Sequence, residues 1–197
     1  REKENQRTAL AVSKDGIQFE TSETVIGDAY FRVFKHRDTY YSIDTHGFLN
    51  RSQFYDKAWA VGKNQLIAPI TVDDEYGKRD DVRLRHCAVL VRGDTLFLFY
   101  TRKADAPERM FLGSVSMAGD SENWEARSPV EILRPAADYE GIQFPIKPSK
   151  KGGGINVQQL RDPGIFEDSD GKTYLFYSIA GEMGLAVAKL SIKLIEE

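Results

Sequence analysis

Residues 87–101, CAVLVRGDTLFLFYT, hold two apolar runs on either side of Arg92-Gly93-Asp94. Gly and Asp supply the backbone freedom of a tight reversal, and the flanks are rich in β-branched and aromatic side chains, so the stretch predicts an antiparallel hairpin. Its runs are nearly continuous in apolar character. That suits inner strands covered on both faces, where no side of the strand meets water.

The same pattern occurs twice more. Residues 30–34 lead through His36-Arg37-Asp38 to residues 39–43, and residues 164–167 lead through Asp168-Ser169-Asp170-Gly171 to residues 173–179. A second element recurs beside the hairpins: Ser13, Phe19 and Ile26; Ser52, Trp59 and Ile67; Ser116, Trp124 and Leu133; with a last copy stopping at Ser191. Its aromatic is expected on an outer strand, packing one repeat against the next. Repetition of a four-strand unit is the signature of a β-propeller blade, whereas a β-sandwich strings short strands together without that repeated order. The reading is all-β, with four-stranded antiparallel blades and no long amphipathic helix.

Counting copies, residues 8–13 and 17–19 read as the last two strands of one blade. Two complete blades follow, and residues 164–191 give three strands of another. One domain over residues 1–197 would thus hold about three and a half blades, fewer than the four that closure usually needs. The expectation is that N-terminal blades lie outside this chain; the alternative is that another chain completes the ring through oligomerisation. Two long connections interrupt the repeat and are expected to be functional loops. One is residues 68–84, rich in Asp, Glu and Arg; the other is residues 135–160, with Pro135, Pro145, Pro148 and the run Lys150-Lys151-Gly152-Gly153-Gly154.

With 197 residues, 41% of them hydrophobic, the chain can bury a real core. Lys and Arg total 27 against 30 Asp and Glu, for a net charge of −3, which gives no reason to expect nucleic acid or an anionic membrane as partner. No apolar run approaches the roughly 20 residues of a membrane-spanning helix. The first residues lack the apolar core of a signal peptide, yet the chain does not start with Met, so the expected location is extracytoplasmic if a leader has been removed and cytoplasmic otherwise. The single cysteine, Cys87, excludes an internal disulfide and reads as a buried small hydrophobe. Three histidines, His36, His46 and His86, show no ligand-like spacing, so no cofactor is expected beyond a structural calcium or sodium ion at the propeller centre.

Residues 160–178, LRDPGIFEDSDGKTYLFYS, resemble a blade of the five-bladed propeller glycosidases, the superfamily of glycoside hydrolase families 43, 32, 68 and 117. Residues 13–19, SKDGIQF, are similar to the outer-strand turn common in that group. The resemblance covers most of the chain as architecture and implies a furanosidase-like hydrolase acting on a carbohydrate. In that superfamily an Asp of an Arg-Asp-Pro or similar motif helps to stabilise the transition state, which the resemblance assigns to Asp162. The chain departs from the pattern in one respect. The family 43 base lies in the first blade and the family 32 nucleophile in an N-terminal Asp-Pro motif, and neither segment is present.

Topology supplies an independent argument, because in a four-strand meander the start of the first strand and the link between the second and third lie on one face. That rim should gather Asp162, Glu182, Glu108, Asp44, His86, Arg161, Arg102 and Arg32, with Glu140 reaching it from its long loop. Glycoside hydrolysis needs two carboxyl groups, one protonated and one ionised. Asp162 is the candidate for the ionised group, and Glu108 and Glu182 are rival acids. Arg161, His86, Arg102, Arg32, Asp44 and Glu140 are candidate substrate contacts. Each has a structural alternative: a turn fastener for Asp162, an ion pair with Arg109 for Glu108, a blade clamp for Arg32 and Arg102. A propeller that binds glycan or protein without cleaving it, and a phosphorylase that uses the arginines to hold phosphate, stay open beside the hydrolase.

Overall fold

The computed structural model describes residues 6–57, 59–149 and 154–192. These form four antiparallel sheets in chain order, each a meander of consecutive strands. The first pairs β1 (Arg7–Val12) with β2 (Glu20–Asp28), and the second holds β3 (Arg32–His36), β4 (Thr39–Ile43) and β5 (Leu49–Ser52). The third holds β6 (Ile70–Asp74), β7 (Gly77–Arg92), β8 (Thr95–Lys103), β9 (Met110–Ser116) and β10 (Val130–Leu133). The fourth holds β11 (Arg161–Glu167), β12 (Thr173–Ile179) and β13 (Gly184–Leu190). All three hairpins expected from the sequence are present, with β3–β4, β7–β8 and β11–β12 as their arms.

The continuous apolar runs have a direct structural cause. Alternate residues of a strand point to opposite faces, and both faces of the third sheet are covered. Leu96, Leu98 and Tyr100 of β8 join Phe34, Ile43, Leu49 and Trp124 in one core against the second sheet. Phe97 and Phe99, between them, join Leu160, Leu175 and Tyr177 in a second core against the fourth sheet. Leu98 and Phe99 are fully buried, each stabilising the fold by roughly 1.5–3 kcal/mol relative to exposure. Sheets stacked face to face in sequence order are the blades of a propeller, and the chain is all-β with the architecture expected.

Two of the recurring aromatics lie between blades. Trp124 meets Tyr41 with ring centroids 4.9 Å apart and His36 edge-on at 5.9 Å, spanning the second and third sheets. Trp59 packs edge-on against Phe31 at 5.1 Å and its backbone N–H donates to the Ile26 carbonyl at 3.2 Å, closing the first sheet on the second. Phe19, the first copy, is instead exposed in a turn.

Three expectations need correction. Residues 17–19 are not a strand: Ser13 and Asp15 accept the backbone N–H groups of residues 15–18 in a turn, and the partner of β1 is the later β2. Residues 68–84 are not a loop either, because β6 pairs with the first half of a long β7. Most of that hairpin is solvent-exposed, so its strands carry little apolar signal to read; its turn is fastened by Asp74, which accepts the Tyr76 N–H and pairs with Arg79. Among its described residues the blade over residues 30–67 has three strands, with the bridges Arg51–Ala60 and Phe48–Gln65 at its outer position. The connection over residues 135–160 contains a short 3-10 turn, Asp138–Glu140, and no strand among its described residues. Lys150-Lys151-Gly152-Gly153 lies outside the described residues.

Candidate functional site

The Arg-Asp-Pro segment opens β11, and proline decides what happens there. Pro163 has no N–H to give to the ladder, so regular pairing with β12 is interrupted. Arg161 lies opposite Ser178 and Gly164 opposite Phe176, leaving two residues of β11 against one of β12. Asp162 takes the left-handed conformation at φ +50° within this bulge. Strand β7 slips in the same way: Leu84 faces Arg102 and Cys87 faces Tyr100, so Arg85 and His86 stand against one residue. Bulges re-aim side chains, and these two lie on inner strands of adjoining blades that pack together.

Between them Nδ1 of His86 comes within 2.6 Å of Oδ1 of Asp162. Ser178, across the bulge, donates its hydroxyl to Oδ2 at 2.9 Å. Partial burial by itself raises the Asp162 pKa, but His86, Ser178 and the Arg161 charge outweigh it and hold the carboxyl below its ordinary range. The Asp162 side chain is still 41% exposed. His86 is buried, with its ring against Tyr30 at 4.7 Å.

Arg161 points the other way and is 1% exposed. Its Nε donates to Oε2 of Glu108 at 2.9 Å, Nη1 to Oε1 of Glu182 at 2.8 Å, and Nη2 to Oε1 of Gln159. Glu108 is wholly buried, with Arg85 Nε 3.6 Å from its other oxygen. Burial pushes the Glu108 carboxyl up to about 7, against the pull of Arg85 and Arg161. Glu182 is 41% exposed on the link between β12 and β13, and its N–H donates to the Gly154 carbonyl at 2.7 Å. Two glycines make this close packing feasible. A Cβ on Gly154 would stand 2.9 Å from Nη2 of Arg161, and one on Gly181, at φ +85°, would stand 2.0 Å from the Gly154 carbonyl oxygen.

The remaining sequence candidates are engaged in the framework. Both Asp44 oxygens are occupied, Oδ1 by the N–H groups of His46 and Phe48 and Oδ2 by Asn50. Glu140 is buried, accepting from the Ala136 and Ala137 N–H groups and from the Tyr177 hydroxyl. Arg32 donates to the Cys87 carbonyl at 2.8 Å and so ties β3 to β7. Arg102 lies over the Phe111 ring at 4.8 Å and donates to the Tyr100 hydroxyl. Glu108 does not pair with Arg109, which is held by Asp105 and Glu131. The structure thus brings Asp162, Glu182, Glu108, Arg161 and His86 together, and holds Asp44, Glu140, Arg32 and Arg102 in other contacts. Tyr30, Gln159 and Ser178 belong to the cluster and were not singled out by sequence reasoning, and Arg85 joins them. Arg85 neighbours His86 and Gln159 and Ser178 flank a recognisable motif, but Tyr30 meets His86 only through tertiary packing. Among the described residues no group of three or more His, Cys, Asp or Glu side chains is arranged to hold a metal ion.

Three solved structures share this arrangement of blades. An endo-1,5-α-L-arabinanase from Thermotoga petrophila superposes with a TM-score of 0.52 at 15% identity, over 85% of this chain and 38% of its own. An exo-1,5-α-L-arabinanase from a bovine ruminal metagenomic library gives 0.50 at 14% identity, over 83% and 50%. A family 43 glycoside hydrolase from Bacillus licheniformis gives 0.50 at 16% identity, over 94% and 39%.

The fold is that of the five-bladed propeller glycosidases.

In sequence, the chain is 39% identical over 194 residues to an uncharacterised protein of Acanthamoeba polyphaga mimivirus, covering 93% of this chain and 52% of that protein. The chain therefore spans about half the length of the curated relative it matches. No family profile matches the sequence.

Proposed function

We propose that this propeller binds a carbohydrate over the rim formed by Asp162 and Glu182 and takes part in hydrolysing a glycosidic bond. The observation that carries the reading is a pair of half-exposed carboxylates on one blade, each held by a buried basic side chain: Asp162 by His86 and Glu182 by Arg161. Glycoside cleavage asks for two carboxyl groups with different protonation, held rigidly on either side of the scissile bond. Asp162, kept below the ordinary carboxylate range, suits the ionised role, and Glu182 is the partner carboxyl. Glu108 is wholly buried and acts from behind Arg161 rather than on the sugar. His86 and Tyr30 line the sugar side next to Asp162. In this reading residues 1–197 form part of one propeller domain whose ring continues beyond the fourth sheet. What supports it is the outward face of that sheet, where Phe166, Phe176, Leu185 and Val187 are exposed while its other face packs on the third.

The test is a screen of the purified protein on aryl glycosides and 1,5-linked arabinan, repeated with Asp162→Asn and Glu182→Gln. Each substitution is expected to lower turnover by about 10²–10⁴-fold, the usual worth of a general acid or base. Turnover unchanged in both variants would refute the assignment, and turnover requiring inorganic phosphate would identify a phosphorylase instead. A second reading, glycan binding without cleavage, is favoured by one observation: both Asp162 oxygens and one Glu182 oxygen already have protein partners. Calorimetric binding of an oligosaccharide with no hydrolysis would establish it.

A further inference from the structure

We infer that Glu108 and Arg161 form a buried positioning pair that sets the direction of Glu182; the inference rests on the reading of Glu182 as a rim carboxyl. The Arg161 guanidinium is a planar fork whose three nitrogens reach three separate segments: Glu108 before β9, Gln159 before β11 and Glu182 before β13. Planarity is what transmits the constraint. Once Nε is fixed on Glu108 and Nη2 on Gln159, the direction of Nη1 is no longer free, and Glu182 accepts from a donor whose position is already decided. The backbone closes around the same group, since a Cβ at Gly154 would stand 2.9 Å from Nη2 and push it out of place.

The turn that carries Glu182 cannot fix that side chain by itself. It lies between Gly181 and Gly184, and the side chain is 41% exposed, so its orientation comes from the Arg161 contact. Glu108 in turn has Arg85 on its far side, which gives the order Arg85, Glu108, Arg161, Glu182, with charges alternating along the line once Glu108 is ionised. Above about pH 7, where Glu108 is ionised, taking its charge would leave two buried arginines near one another with only the outer carboxylate between them and water. The plane of Arg161 would then turn, and the rim carboxyl with it. Glu108 and Arg161 are positioning residues and not catalytic residues in this scheme, because neither touches the sugar.

Glu108→Gln, which keeps the shape, and Arg161→Lys, which keeps the charge but replaces the fork by a single amine, test this in two ways. The first readout needs no turnover: side-chain carboxyl carbon NMR of Glu182 and Asp162 at pH 8, where Glu108 is ionised. Both variants are expected to move or broaden the Glu182 signal and to leave that of Asp162, held by His86 and Ser178, in place. The second is kinetic, on a substrate that the wild-type protein hydrolyses: kcat is expected to fall by about 10²-fold, as for a roughly 1 Å misplacement, with KM unchanged. An undisturbed Glu182 signal in either folded variant would overturn the inference, as would equal disturbance of both carboxyls. Should Glu108→Gln fail to fold, Arg161→Lys decides alone. A protein without hydrolytic activity would refute the catalytic reading while leaving the NMR result to decide the positioning.

Discussion

The buried Glu108 makes the stability of the protein fall with rising pH. Its carboxyl titrates at about 7 in the folded chain against 4.5 in an unfolded one, because burial outweighs the attraction of Arg85 and Arg161. Below pH 4.5 the group is protonated in both states and has no effect. Between 4.5 and 7 the unfolded chain releases its proton while the folded one keeps it, so the unfolded state is progressively favoured; above 7 the loss is complete. About 2.5 pH units at 1.36 kcal/mol each amount to a loss of about 3 kcal/mol between pH 4.5 and 7.5. Asp162 works in the opposite sense and elsewhere: its lowered pKa gives stability that is present above the ordinary Asp value and lost only as pH falls below it. The assay is urea denaturation at half-unit steps from pH 5 to 8 on the wild type and on Glu108→Gln, which cannot titrate. The wild-type free energy should decline by about 2–3 kcal/mol relative to the variant across that range. Parallel curves would refute the reasoning, since they would mean that Glu108 is ionised in the fold at every pH and that the two arginines outweigh its burial.

Gly181→Ala places a Cβ 2.0 Å from the Gly154 carbonyl oxygen at φ +85°, so it should destabilise by at least about 1–3 kcal/mol and disturb Glu182, measured by denaturation and by the Glu182 carboxyl signal. Trp124→Ala removes the aromatic between the second and third sheets and should cost about 3–5 kcal/mol, read as a lowered urea midpoint. Burial pushes the Cys87 thiol up to about 12, so it should resist a thiol reagent at pH 8 in the native protein and react at once in denaturant. Rapid native labelling would show that the core face of β7 opens.

Much of the fold was legible because its cause is local. Arg92-Gly93-Asp94 and Ser169-Asp170-Gly171 mark reversals whatever surrounds them, and the unbroken apolar run over residues 96–100 announces a strand buried on both sides. The β6–β7 hairpin escaped notice for the converse reason: most of it is open to solvent, so no apolar alternation records it. Of the site, the Arg-Asp-Pro segment was visible through its resemblance to a propeller-glycosidase blade. For the rest, sequence position alone does not give the direction of a side chain. Asp44 was expected on the rim from topology and Glu140 from its long loop, and each carboxylate accepts from nearby N–H groups that would otherwise be unsatisfied.

By itself, then, the sequence determined the repeating hairpins, the all-β architecture and the break in β11 at Pro163, because turn chemistry, side-chain alternation and a missing N–H act over a few residues. Tertiary structure alone decided which charges meet. Glu108, Arg161 and Glu182 lie far apart in the chain and are chemically indistinguishable in the sequence from residues at the surface. Only the stacking of one blade on the next buries Glu108, leaves Asp162 and Glu182 half-open to solvent, and sets Arg161 between two of the three carboxylates.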